Sequence, residues 1–263
     1  MCYFCCVINL KAILDFYIRA SIHVAFAIYS LVHVTELSLQ LPTNDTIATT
    51  VFFGTIVGYN FLKYFEAFQK GTFDLKENRW LVGLTFFSII ATIFYFLQLS
   101  HSLQVYFIKI GAVVALYPFL RKFGFWKLFL VSFCVTATTV YASIYSLASF
   151  TADEQIILFQ RFLIVISLMI PFEILDSQTD DATMKTLPQR FGVFKTKLLG
   201  IVLLFPFVIL EFFKVNFEIS TVIIACITAF FIGFTTFKRD EYFTSFWVES
   251  VPIFWLVLLL VFS

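Results

Sequence analysis

WLVGLTFFSIIATIFYFLQLSHSLQVYFIKIGAVVALYPFL, residues 80–120, contains two apolar runs, Trp80–Leu99 and Leu103–Leu120, separated only by Ser100–Ser102. A hydrocarbon core about 30 Å thick needs roughly 20 apolar residues per helix. Each run is too long for a strand, and an open sheet cannot leave its backbone groups unpaired in lipid. Both runs therefore read as transmembrane helices. The same pattern continues on either side, at 16–39, 47–68, 126–148, 156–172, 198–213, 219–237 and 246–262. The prediction is an all-α membrane bundle of about nine transmembrane helices, in a single transmembrane domain over residues 1–263.

Composition agrees. Of 263 residues, 60% are hydrophobic and only 13% are charged, with a mean hydropathy of +0.93. Soluble domains are about 45–50% apolar and about 25% charged. Most of the surface must therefore meet lipid. The net charge of +1 gives no electrostatic case for a nucleic-acid partner.

The loops alternate in charge. Lys63, Lys70, Lys76 and Arg79 lie at and after the end of the second run. Arg121, Lys122 and Lys127 follow the fourth, Lys185, Arg190, Lys195 and Lys197 the sixth, and Lys238 and Arg239 the eighth. The intervening loops carry almost no Lys or Arg. By the positive-inside rule the N-terminus is cytoplasmic and the C-terminus outside, which requires an odd number of spans. The expected location is a bacterial inner (cell) membrane. The start, MCYFCCVINL, lacks the basic n-region and small-residue cleavage site of a removable signal. The five cysteines form no disulfide or metal pattern.

The segment richest in chemistry is PFEILDSQTDDATMKTLPQRFG, Pro171–Gly192. Glu173, Asp176 and Asp180 are spaced three and then four apart, which puts three carboxylates on one helix face. Like charges so stacked repel, and a divalent cation relieves that. Mg²⁺ takes one or two carboxylates together with substrate phosphate oxygens. A solvated acidic loop has the same spacing, so spacing alone does not choose between the two.

Asp176-x-x-x-Asp180, followed by Lys185-Thr186-Leu187-Pro188 and Arg190-Phe191-Gly192, resembles the second aspartate-rich motif of the UbiA superfamily of intramembrane prenyltransferases, which includes the 4-hydroxybenzoate polyprenyltransferases. Tyr117-Pro118-Phe119-Leu120-Arg121-Lys122 is similar to the tyrosine and basic pair that this family carries after its fourth helix. At the end of the second run the family has Asn-Asp-x-x-Asp-x-x-x-Asp. Here only Asn60 fits. Phe61, Tyr64 and Phe68 stand in place of the aspartates, and Glu66 is out of register. The first aspartate-rich motif is therefore degenerate.

The resemblance implies a UbiA-like fold of nine helices with a cytoplasmic active site. The implied reaction, a transfer of an alkyl or aryl group other than methyl, moves a prenyl group from an isoprenoid diphosphate to a lipophilic acceptor. By the same resemblance Asp176 and Asp180 are the catalytic residues and hold Mg²⁺, with Glu173 assisting. Arg121, Lys122, Lys185, Tyr117 and Asn60 bind the diphosphate. Lys63 pairs with phosphate where a metal charge is missing, or is a snorkelling interfacial lysine. The degenerate motif leaves a second reading, a non-catalytic isoprenoid- or lipid-binding membrane protein. A transporter ranks last, since it needs helices broken by Gly or Pro at midplane. Lys109, Arg161, Glu211 and Glu249 are ionisable groups inside apolar runs and are functional candidates on that ground. The 38 phenylalanines offer aromatic faces to a carbocation, although lipid-facing bulk accounts for most of them.

Overall fold

The computed structural model describes residues 2–120, 124, 126–145, 147, 150–178 and 184–262, with side chains from residue 10 onward. Every regular element among them is helical. In chain order these are α1 (Cys2–Arg19), α2 (Ile22–Ser38), α3 (Asp45–Gln69), α4 (Arg79–Phe96), α5 (His101–Leu120), α6 (Trp126–Thr136), α7 (Ala142–Ile144), α8 (Ala152–Asp176), α9 (Leu187–Glu211), α10 (Ile219–Phe234) and α11 (Val251–Phe262). A π-helical segment, Ala137–Tyr141, joins α6 to α7, and another, Phe243–Val248, precedes α11. Six rods are long and apolar enough to cross a membrane, and a seventh is added if α1 and α2 form one bent span. The chain is an all-α membrane helical bundle.

The first expected run, 16–39, is divided. The axes on either side of the break at Ala20–Ser21 differ by 61°, and Ser21 takes a left-handed φ of 61°. The rod expected from Leu198 begins earlier, at Leu187. Pro188 lies in its first turn, and the Thr186 N–H donates to Gln189 Oε1 at 3.0 Å. These are helix-start signals. Within that rod Gly192 has φ 79° and ψ 160°, a conformation that L side chains rarely adopt. It separates a short turn over Leu187–Phe191 from the spanning part. The α3 rod is long, but its threonines, Asn60 and Lys63 make it less apolar than its neighbours. The α10 helix has only 16 residues.

The core runs through α2, α8, α9, α10 and α11, around Leu31, Ile164, Ile170, Phe207, Ile224 and Trp255. Lipid tails are as apolar as these side chains, so close packing and interhelical hydrogen bonds must hold the rods together. Thr35 Oγ1 donates to Thr139 O at 2.8 Å, Ser167 Oγ to Gly200 O at 3.1 Å, and Gln160 Nε2 to Phe207 O at 3.0 Å. The flanks of α4 expose Trp80, Phe86, Phe87, Phe94 and Leu97. That surface suits lipid and no soluble environment.

Candidate active site

One end of the bundle gathers the C-terminal ends of α3, α5 and α8 and the N-terminal ends of α6 and α9. Among the described residues it carries Lys63, Tyr117, Lys127, Glu173, Asp176 and Lys185.

On α3, Tyr59 and Lys63 are one turn apart and share a face. Tyr59 lies within electrostatic reach of Glu249, Tyr117 and Asp176. Lys63 lies within reach of Glu249, Arg19 and Glu241. Four parts of the chain therefore converge: α3 through Tyr59 and Lys63, α5 through Tyr117, α8 through Asp176, and the approach to α11 through Glu249. Tyr59, Tyr117 and Glu249 are half-buried and Lys63 is exposed. All four keep accessible surface where these parts of the chain meet.

Asp176 is the last residue of α8 and is exposed. Glu173, one turn earlier on the same face, is buried, and its Oε1 pairs with Lys127 Nζ at 2.7 Å. Its Oε2 is buried with no hydrogen-bond partner among the described residues. An orphaned carboxylate oxygen one turn below an exposed carboxylate is a donor set that fits a hard divalent cation, which takes one or two carboxylates and completes its shell with water and substrate oxygens. No group of three or more His, Cys, Asp or Glu suited to a metal occurs among the described residues.

Gly124 joins the two motif loops. A Cβ built on it would stand 2.9 Å from Lys185 O, and Gly124 itself has φ 62°. Only glycine accommodates both the close approach and the left-handed backbone. The loop after α5 is therefore pressed against the loop before α9, in which Lys185 is exposed with φ 52°. Gln178 Nε2 donates to Phe237 O at 3.1 Å and fastens the end of α8 to the end of α10. Arg121, Lys122 and Asp180 lie outside the described residues.

Asn60 behaves differently from the other candidates. It is 3% exposed. Its Oδ1 accepts from Ser21 Oγ at 2.8 Å, and its Nδ2 donates to Thr85 Oγ1 at 2.9 Å. These bonds hold the break between α1 and α2 against α3 and α4. Two aromatic residues of the degenerate motif are held by other contacts. Tyr64 Oη donates to Arg19 O at 3.0 Å, and Phe68 stacks on Phe73 with ring centroids 4.3 Å apart. Glu66 is exposed and pairs with Lys70 at 3.4 Å. Lys63 of that helix end lies within electrostatic reach of Glu249. Sequence reasoning passed over Tyr59 and left Glu249 unassigned. The available signal for Glu249 was its place as a carboxylate within an apolar run; Tyr59 had none beyond its position before Asn60.

No protein-family model and no curated protein matches the sequence. Among solved structures, the apo structure of a UbiA homolog from Aeropyrum pernix K1 is similar to the chain with a TM-score of 0.67. It covers 91% of this chain and 97% of that one, at 14% sequence identity. The likeness at that identity is one of fold.

Proposed function

We propose that this chain, a membrane helical bundle with the fold of a UbiA homolog, transfers a prenyl group from an isoprenoid diphosphate to a lipophilic acceptor. The observation that carries the reading is the convergence of Tyr59, Lys63, Tyr117 and Asp176 at the bundle end where Gly124 clasps the two motif loops. In this reading that end faces the cytoplasm of a cell with a bacterial inner membrane, because the basic loops lie there.

In such a transfer the allylic C–O bond breaks, and its electron pair leaves with the diphosphate. The acceptor then forms a bond to the allylic carbon and gives up a proton. Charge develops on the leaving diphosphate, so groups already aimed at it stabilise the transition state. Lys63 offers a compact cation to the phosphate oxygens, and Lys185 is exposed in the adjoining loop. Arg121 and Lys122, by motif, complete the cationic side. Asp176, Glu173 and, by motif, Asp180 would hold Mg²⁺, which supplies charge neutralisation to the diphosphate when bound. Lys127 holds Glu173 in place. The rings of Tyr59 and Tyr117 offer π faces to positive charge on the allylic carbon. Asn60 acts as a fastener for the α1–α2 break.

Lys63 is central to this arrangement, because α3 supplies cationic charge at the position where the aspartate-rich motif would supply metal ligands. The test is pyrophosphate release by the purified full chain from an allylic isoprenoid diphosphate, across a panel of lipophilic acceptors. Acceptor-dependent release supports the reading. Tight binding of the diphosphate with no release for any acceptor contradicts it and identifies a binding protein.

A further inference from the structure

Away from that end, α5, the α6–α7 rod and α8 enclose a lateral groove of about 480 Å³ lined by Tyr106, Lys109, Thr136, Tyr141, Tyr145 and Phe162, among others. Its size falls within the range of about 300–1,000 Å³ typical of sites for small organic ligands. Exposed Val105 and Phe133 belong to its lining, so it opens on the flank of the bundle where lipid lies.

Three features distinguish it from a packing fault. Lys109 is an exposed ammonium within a spanning helix and has no carboxylate or hydrogen-bond partner among the described residues. A lysine at such depth is costly unless a counter-charge reaches it. Thr136 is 8% exposed, and its Oγ1 has no hydrogen-bond partner among the described residues. The groove wall is also shaped by the π-helical segment Ala137–Tyr141. Tyr106 Oη donates to Ala137 O at 3.0 Å and pins that widened turn. The rings of Tyr106, Tyr141 and Tyr145 pack together, with centroids 5.2–5.8 Å apart. Single-turn π segments are common at functional sites.

The height of the groove identifies its occupant. Lys109 lies eight residues into α5, about 12 Å from its start at 1.5 Å per residue. Helical side chains lean toward the N-terminus, so the ammonium rises toward the interface remote from the active-site end. The tyrosines crowd the same region, as an interfacial aromatic belt does. We propose that this groove binds one anionic phospholipid from the leaflet remote from the active-site end. Its phosphate pairs with Lys109, and an acyl chain lies along Phe133 and Phe162. The unpaired cation calls for a phosphate of net negative charge, and the apolar walls call for the chain attached to it. This site is independent of the catalytic reading.

The test uses the full chain in nanodiscs of equal phosphatidylglycerol and phosphatidylcholine, with retained lipid counted by native mass spectrometry after release. The wild type retains phosphatidylglycerol with a preference of about tenfold, as one desolvated charge pair provides. Lys109→Met brings the preference close to parity, and Lys109→Arg keeps it. Methionine is at home in lipid, and arginine retains the charge, so the pair separates loss of charge from loss of fold. Parity in the wild type, or an undiminished preference in Lys109→Met, overturns the proposal. Full displacement by glycerol 1-phosphate also overturns it, since the site would then take free phosphate without a chain.

Discussion

Gly124 and Lys185 lie back to back: a Cβ on Gly124 would stand 2.9 Å from the Lys185 carbonyl oxygen, and closer still to that of Met184. The contact joins the loop after α5 to the loop before α9. Gly124→Ala adds a left-handed penalty of about 1–2 kcal/mol and a clash with backbone that cannot swing away. The expected outcome is a lower melting temperature and faster tryptic cleavage at Lys185. A variant with unchanged melting and cleavage would show that the loops are not clasped there.

Lys63 is expected to govern affinity for the donor. Lys63→Met should raise the KM for the isoprenoid diphosphate by about tenfold, the effect of one charged hydrogen bond, and Lys63→Arg should recover most of it. Glu249 lies within electrostatic reach of Lys63, so the combination of Lys63→Met with Glu249→Gln should depart from additivity. Steady-state kinetics on the wild type, Lys63→Met, Lys63→Arg, Glu249→Gln and the double variant measures this.

The fold was largely legible because apolar length and loop charge are set by the bilayer, whatever the tertiary detail. The division of residues 16–39 was not legible. Ser21 carries no breaker signal; its left-handed turn is held by a bond to Asn60, a contact 39 residues away. The same bond gives Asn60 a contact that holds the fold, which its place in the motif does not disclose. Lys63 looked like one more interfacial lysine. Its place within electrostatic reach of Glu249 and Arg19 depends on packing that spacing does not encode. Spacing puts Glu173 on one face with Asp176, but its burial against Lys127, which spacing does not encode, separates the two.

Arg161 is expected to be structural. It is fully buried, donates to Leu31 O at 2.8 Å, Thr35 Oγ1 at 3.2 Å and Thr139 Oγ1 at 3.3 Å, and lies over the Trp255 ring. A lysine cannot reproduce that fork. Arg161→Lys should destabilise the bundle by about 1–3 kcal/mol and leave the KM for the donor unchanged. Thermal melting in detergent, beside kinetics, separates these effects.

Glu218, in the turn before α10, gives a pH dependence. Burial pushes its carboxyl up, against the pull of Lys214 and a hydrogen bond from Ser38, and the net shift is upward. A carboxyl raised in the folded state favours folding when protonated. Its contribution is fully present below the unfolded value near 4.3 and is lost as pH rises through the folded value. Stability should therefore fall with rising pH across that window, and Glu218→Gln should flatten this part of the profile. Melting curves from pH 4 upward measure it.

Asp176 tests the central claim most directly. The measurement is pyrophosphate release from an allylic isoprenoid diphosphate with Mg²⁺ and a lipophilic acceptor, comparing the wild type with Asp176→Asn. The account predicts acceptor-dependent release by the wild type and a loss of about 10²–10³-fold in kcat for the variant, the scale of removing one preorganised electrostatic contact, with melting temperature unchanged. Equal turnover by the two proteins would contradict it.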